Sequence, residues 1–182
     1  MTNHVLLVRH AETESNRCGR FLGRRDEPLD ARGHDQSRTV AAAIADHAAF
    51  SMVASSPSVR CTVLADEISR ILSLPVHLDN DWAERDYGPV EGLTLAEARA
   101  LYPATPRPGV ERSAAVYERT VRALDSLVAE PGEQTVVVTH GSVLRIFLEK
   151  TGLPPRTPDN CTGFWVERSD DGWRVCGEFL SQ

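Results

Sequence analysis

Three short runs of consecutive apolar residues constrain the fold of this chain more than any other feature of its sequence. They cover residues 5–8, 52–54 and 135–138. A strand with one face in solvent alternates apolar and polar residues, whereas a strand covered by helices on both faces is apolar throughout. The runs therefore predict parallel strands in the interior of a sheet.

Four other segments carry apolar residues at helical spacing, which predicts helices over residues 33–46, 58–72, 112–130 and 142–151. Strands that alternate with helices predict an α/β fold, here a three-layer α/β/α sandwich with a mostly parallel central sheet. The residues expected to face inward from the first three helices are Val40, Ile44, Cys61, Leu64, Ile68, Ile71, Tyr117, Val121, Leu124 and Val128.

The end of the chain has a different pattern. Residues 163–167 and 173–176 alternate about a turn at 169–172, which predicts an antiparallel hairpin at a sheet edge. The proline-rich stretch 103–109 is compatible with a lid or a linker. The flanking segments are too interdependent for a domain boundary, so we expect one domain over residues 1–182, with a short lid around 103–113.

The net charge and the cysteine content indicate which classes of binding partner and which cellular compartment to expect. The formal net charge is -6 among 182 residues, which argues against generic binding to nucleic acid or to a membrane surface. The four cysteines are scattered without a CxxC pair, and the first apolar run is too short for a signal peptide or a membrane span. We therefore expect reduced thiols and a cytoplasmic protein.

Two histidines follow two of the predicted parallel strands directly: His10 and His140. Ligand sites of open α/β sheets lie beyond the carboxyl ends of the strands, so both should reach the same edge. Arg60 stands in the first turn of the helix after the strand at 52–54. Neutral imidazole is a nucleophile near neutral pH, and arginine binds phosphate oxygens in pairs, so the set favours phosphoryl transfer.

Each of these residues also has an ordinary structural interpretation. A lone histidine after a strand is more often a hydrogen-bonding group than a catalyst. Glu84 is compatible with a surface ion pair, and Asn16 with a helix or turn cap. The combination of residues at equivalent strand and helix ends favours chemistry over these alternatives.

Four motifs, in order, resemble those of the histidine phosphatase (phosphoglycerate mutase-like) superfamily. The first, Arg9-His10-Ala11-Glu12-Thr13, has alanine where the family usually has glycine. The others are Ser55-Ser-Pro-Ser-Val-Arg60-Cys, Glu84-Arg-Asp-Tyr-Gly88-Pro-Val-Glu91-Gly92 and Thr139-His140-Gly141. The resemblance spans residues 5 to about 150 and implies a phosphoglycerate mutase-like fold.

The resemblance also implies roles for matching residues. His10 is expected to be the nucleophile, and Glu84 the proton donor to the leaving group and then the base that activates water. Arg9, Arg60 and His140 are expected to act on the transferring phosphoryl group. The remaining candidates for substrate or phosphate binding are Asn16, Leu22, Gly23, Tyr87 and Gly141; contacts by Arg20, Phe21, Arg24, Arg25, Arg107 and Arg112 stay open, with solubility as the alternative.

The favoured function is hydrolysis of a small phosphomonoester metabolite, without metal or other cofactor. A cofactor-dependent phosphoglycerate mutase-type phosphotransferase is the rival, and a non-catalytic binding module is a third hypothesis. The resemblance implies that a member of the mutase branch has a lysine shortly after the acid motif and an adjacent arginine pair further on, within a long insertion. This chain has Leu95 at the lysine position, and no Arg-Arg pair follows it. The substrate and the oligomeric state stay open, a homodimer included.

Overall fold

The computed structural model describes residues 4–127 and 133–180. Six strands form one mixed sheet in the order β3-β2-β4-β1-β5-β6. The strands are β1 His4–Arg9, β2 Met52–Ser55, β3 Val76–Leu78, β4 Gln134–Thr139, β5 Gly163–Ser169 and β6 Gly172–Phe179. The first four are mutually parallel, and β5 joins β1 in the antiparallel sense.

Helices cover both faces of this sheet, which confirms the predicted α/β architecture. They are α1 Glu14–Arg17, α2 Ala31–His47, α3 Val59–Leu72, α4 Leu95–Leu101, α5 Ser113–Ser126 and α6 Gly141–Lys150, with 3-10 turns at Asn80–Trp82 and Gly88–Val90. None of the helices in the described ranges is long and apolar enough to cross a membrane.

The apolar strands explain this layering. Leu6 and Val8 of β1 pack with residues of α2 and α3, whereas Leu7 packs on the other face with residues of α5 and α6. Successive side chains of a strand point to opposite faces, so a continuously apolar strand supplies two cores at once. The three predicted interior strands are all found, at β1, β2 and β4.

The predicted hairpin is present as β5 and β6, with β6 at the sheet edge. Two details of the helix predictions are wrong. Ile71 is 39% exposed, because the buried face of α3 ends at Ile68. On α5 the buried residues are Val116, Arg119, Thr120, Ala123 and Leu124, whereas Val121 is only half-buried. Tyr117 is half-buried and packs against the core as predicted, and Val128 lies outside the described residues.

The segment at 103–113 packs against the loop that carries the acid motif. The Glu111 backbone N–H donates to the Asp86 carbonyl at 2.8 Å. Gly88 has a positive φ of 47°, and a Cβ there would lie 2.3 Å from the Gly109 carbonyl oxygen. Glycine at 88 therefore permits the close approach of the two loops. Whether the segment moves as a lid stays a prediction.

Candidate active site

His10 is held by its backbone at the carboxyl end of β1. Its N–H donates to the Thr139 carbonyl at 2.9 Å, and Asn160 Nδ2 donates to its carbonyl oxygen at 2.9 Å. The ring atom Nδ1 lies 2.7 Å from the Ala11 carbonyl oxygen, which can only accept. Nδ1 therefore carries the proton, and Nε2 carries the lone pair that a nucleophile needs.

The surroundings of His10 keep this ring neutral. The residue is 2% exposed, and burial lowers its pKa well below the ordinary value of 6.5, with the cations Arg9 and Arg60 acting in the same direction. A protonated imidazole has no lone pair to offer. The buried, cation-flanked position therefore preserves the nucleophilic form into the acid range.

His140 lies beside His10, with ring centroids 5.3 Å apart and planes at 65°. Its Nε2 is 2.8 Å from Ser56 Oγ and 3.5 Å from Cys61 Sγ. Burial lowers the pKa of His140 well below its ordinary value, helped by Arg60 and His10. The parallel pairing of β1 with β4 brings the two histidines together, as the sequence predicted.

Arg60 is completely buried and anchored by main-chain carbonyls. Its two terminal nitrogens donate to the carbonyls of Arg25 at 2.9 Å and Gly23 at 2.8 Å. Its Nε is buried without a hydrogen-bond partner in the described ranges. A fixed cation with a spare donor is suited to an anion.

Arg9 is also held by a main-chain carbonyl. One terminal nitrogen donates to the Pro158 carbonyl at 2.8 Å, while Nε is buried and has no partner among the described residues. A Cβ at position 141 would lie 3.1 Å from Arg9 Nε and 2.8 Å from Thr157 Cγ2. Gly141 thus allows the Arg9 guanidinium to pack against the start of α6.

Glu84 is buried at 6% exposure beside the same helix start. It accepts hydrogen bonds from the backbone N–H groups of Arg85 at 2.7 Å and Ser142 at 3.4 Å. Burial raises the pKa of this carboxyl group, although these bonds and the nearby arginines oppose the shift. A carboxyl group that holds its proton to higher pH is suited to general acid catalysis.

A cavity of about 160 Å³, the inner cavity, is lined by two of these side chains, Arg9 and Glu84. Tyr87 closes one wall, where its hydroxyl oxygen is 2.6 Å from Ser142 Oγ. Asn16 Oδ1 accepts from Asn160 Nδ2 at 3.2 Å. The cavity is lined by Arg9, Asn16, Arg20, Phe21, Leu22, Glu84, Tyr87, Gly141, Ser142 and Thr157, and so includes most of the predicted binding residues.

Comparison with known proteins identifies the family. The family model of the histidine phosphatase superfamily (branch 1) matches residues 5–177. The chain belongs to this superfamily. It is 31% identical over 178 residues to an uncharacterised phosphatase, PhoE, of Bacillus subtilis, covering 94% of this chain and 91% of that protein.

Two further proteins are similar. Phosphoserine phosphatase 1 of Hydrogenobacter thermophilus is 32% identical over 151 residues, which is 76% of this chain and 71% of that enzyme. The solved structure of a mycobacterial glucosyl-3-phosphoglycerate phosphatase superposes with a TM-score of 0.86 at 20% identity, and each chain is covered completely. The last likeness concerns the fold. Together these findings confirm the predicted family and its phosphoglycerate mutase-like α/β fold.

Four of the predicted catalytic and phosphate-binding residues are not among those that line the inner cavity: His10, Gly23, Arg60 and His140. Gly23 is beside it, and its N–H donates to Glu91 Oε1 at 2.9 Å. The N–H of Arg25 donates to the same oxygen at 2.7 Å, and Arg24 pairs with Glu111 at 3.7 Å. A role of Gly23 as a phosphate ligand therefore stays a prediction, and these backbone bonds show what Glu91 of the acid motif does structurally.

Sequence reasoning missed several residues that hold the site together. Arg119 donates to the carbonyls of Ala83 at 2.5 Å and Glu84 at 3.2 Å, and so anchors the acid motif. Asn160 bridges His10 and Asn16 from a loop beyond residue 150, where the resemblance ended. The apolar spacing of α5 did not mark Arg119, because it predicted the face of Tyr117 and Val121 as inward, whereas Arg119 is buried on the face of Val116 and Ala123 and takes polar partners there.

A possible metal-ligand cluster in the described residues is formed by His4, Glu167 and Cys176. His4 begins β1, whereas Arg9 ends it, so the cluster lies at the opposite end of the strand from His10. The charges next to His10 come from arginines.

Proposed function

We propose that this protein is a phosphatase that hydrolyses small phosphomonoester metabolites through a phosphohistidine on His10. The observation that carries the proposal is the state of His10: buried, neutral, with Nδ1 bonded to the Ala11 carbonyl and flanked by two cations. These features give Nε2 a lone pair next to the positive charge that a phosphoryl group requires.

In the first step, His10 Nε2 attacks phosphorus while the bond from phosphorus to the ester oxygen breaks. Arg9 and Arg60 stabilise the phosphoryl oxygens through fixed guanidinium groups, each with a buried Nε that has no partner in the described part of the chain. Glu84 gives its proton to the departing alkoxide. Because burial raises its pKa, Glu84 holds this proton to higher pH than an ordinary carboxyl group does.

In the second step, water attacks the phosphohistidine. The Glu84 carboxylate takes a proton from the water, a bond forms between water oxygen and phosphorus, and the bond to Nε2 breaks. Inorganic phosphate leaves, and His10 and Glu84 return to their starting states. Neither step requires a metal ion, because arginines and backbone N–H groups supply the positive charge.

The relatives support this proposal. A named phosphoserine phosphatase and a named phosphatase are each more than 30% identical to the chain. The rival, phosphate transfer to a second alcohol as in a phosphoglycerate mutase, uses the same first step. It is tested by mixing the protein with 3-phosphoglycerate and catalytic 2,3-bisphosphoglycerate; formation of 2-phosphoglycerate without phosphate release from any ester would favour the mutase.

The direct experiment traps the intermediate. The protein is mixed with excess 4-nitrophenyl phosphate, quenched in alkali and digested, and the peptides are weighed by mass spectrometry. One phosphoryl group on His10, together with release of inorganic phosphate that a chelator does not reduce, is the expected result. Phosphate release with the label on another residue would contradict the mechanism, and release that stops with chelator and returns with magnesium would contradict its metal independence.

A further inference from the structure

A second, larger cavity adjoins the inner one. It has a volume of about 560 Å³ and shares Phe21 and Tyr87 with the inner cavity, where their rings lie 4.7 Å apart. Because the two cavities share these rings, the leaving group of an ester held beside Arg9 and Glu84 in the inner cavity has a path into the outer one. A volume of this size accommodates a ligand much larger than a three-carbon acid.

The charge of this outer cavity is one-sided. Its lining holds five cationic side chains and, within the described residues, no carboxylate; the cations are Arg85, Arg107, Arg112, Arg145 and Lys150. The formal net charge of the whole chain is -6, so the positive charge of this cavity is opposite in sign to that of the protein as a whole. A cleft lined by one sign of charge concentrates ligands of the other sign.

Nearby carboxylates do not cancel this charge. Glu111 is bound to Arg119 at 3.0 Å and pairs with Arg24 at 3.7 Å, and neither arginine lines the cavity. Glu149 is 3.9 Å from Arg145 and is half-exposed. Arg112 and Lys150 have no ion-pair partner in residues 4–127 and 133–180.

Two of the arginines are oriented by bonds that use Nε alone. Arg85 Nε donates to the Glu111 carbonyl at 2.7 Å, and Arg107 Nε donates to the Tyr102 carbonyl at 3.0 Å. Their terminal nitrogens have no hydrogen-bond partner among the described residues. A guanidinium fixed through Nε keeps the paired donors that match a carboxylate or phosphate.

We propose that the physiological substrate carries a second anionic group, a carboxylate or a phosphate, on the alcohol that leaves, and that the arginines of the outer cavity bind it. The apolar surfaces of Phe21, Val90 and Val110 contact the body of the molecule between its two anionic ends. The inference rests on the proposed phosphatase function and extends it to a substrate class. It also amends the sequence argument, because the chain has no adjacent arginine pair after the acid motif but assembles cations from three separate segments.

The test uses two esters of the same shape that differ in one charge, 4-carboxybenzyl phosphate and its amide, 4-carbamoylbenzyl phosphate. We expect kcat/KM for the acid to exceed that for the amide by about tenfold, since a hydrogen bond to a charged group contributes on that scale. In Arg107→Gln and in Arg112→Gln, an exposed position, the ratio should fall towards one. Arg70→Gln on α3 removes the same charge elsewhere and should preserve the ratio.

Binding separates this inference from the phosphatase proposal. The affinities of the two esters are measured by calorimetry for the wild-type protein and also for the His10→Ala variant, in which turnover cannot interfere. Equal affinity for acid and amide, or a preference that survives both arginine substitutions, would overturn the second-anion site even if both esters are hydrolysed. Tighter binding of the acid that depends on these arginines would support the site even if neither ester is hydrolysed, which would count against the phosphatase proposal alone.

Discussion

The cations of the inner site around His10 and those of the outer cavity differ in burial and in how firmly they are held. Arg60, with His10 and Glu84, is less than a tenth exposed, and main-chain carbonyls fix its guanidinium. Arg112 and Lys150 of the outer cavity are exposed, on a loop and at a helix end. Fixed charges in a buried site act strongly on a developing charge, whereas charges on exposed loops are the ones that vary among proteins with different substrates. The comparison predicts that substitutions inside change the rate for every ester and those outside change the choice among esters.

Replacement of His10 should have the largest effect. His10→Ala removes the atom that accepts the phosphoryl group, and we expect turnover of 4-nitrophenyl phosphate to fall by about 10⁴-fold or more. His34→Ala, an exposed position on α2, is the matched control. Near wild-type hydrolysis by a folded His10→Ala protein would refute the phosphohistidine mechanism.

The buried arginine should come next. Arg60→Lys keeps the charge but cannot donate to both the Gly23 and Arg25 carbonyls and still present a guanidinium edge to phosphate. We expect kcat to fall by about 10²- to 10³-fold, as when one preorganised donor is lost. The change should be equal for 4-carboxybenzyl phosphate and its amide. A selective loss with the acid alone would erase the distinction between the two cavities.

Glu84 should have an effect that depends on the leaving group. Its raised pKa keeps the acid form to higher pH, and kcat/KM should fall as pH rises through that pKa because the proton donor is lost. Glu84→Gln should slow a benzyl phosphate by about 10²-fold, within the usual range for general acid catalysis, and slow 4-nitrophenyl phosphate much less. Equal losses for both esters would show that Glu84 does not protonate the leaving oxygen.

The fold and the inner site could be predicted to different depths from the sequence. Runs of apolar residues are a direct consequence of burial on two faces, so β1, β2 and β4 could be predicted from the sequence. The positions of His10 and His140 at one sheet edge followed from parallel pairing. In contrast, β3 has only three residues, and two of them are exposed, so its sequence shows no hydrophobic pattern.

The contacts made by loops could not be predicted from the sequence. Arg85, Arg107 and Arg145 are separated in sequence and meet only because the loop with Gly88 packs against Gly109 and α6 lies beside both. Asn160 likewise joins His10 and Asn16 across about 150 residues of chain. Such contacts depend on tertiary geometry, for which a residue pattern along the chain contains no periodic signal.

The last prediction concerns stability, and it also separates the two cavities. Burial and neighbouring arginines lower the pKa of His10 and His140 in the folded protein, whereas unfolded histidine titrates near 6.5. Below that value the unfolded chain binds protons that the folded chain does not, so stability should decrease as pH falls. One such histidine contributes a slope of about 1.4 kcal/mol per pH unit once its unfolded form is protonated.

Glu84 acts in the opposite direction and must be removed to see this slope. Its pKa is raised in the folded protein, so the folded chain binds the extra proton above the ordinary value of 4.5, and stability from this group increases as pH falls. Denaturant unfolding is therefore measured between about pH 6.5 and 5 in Glu84→Gln, above the range in which ordinary carboxylates titrate. Adding His140→Asn should reduce the slope by up to the contribution of one histidine, while adding His34→Asn should leave it in place. A slope that His140→Asn does not change would mean that His140 is protonated in the folded state, and the contrast between a buried inner site and an exposed outer cavity would fail.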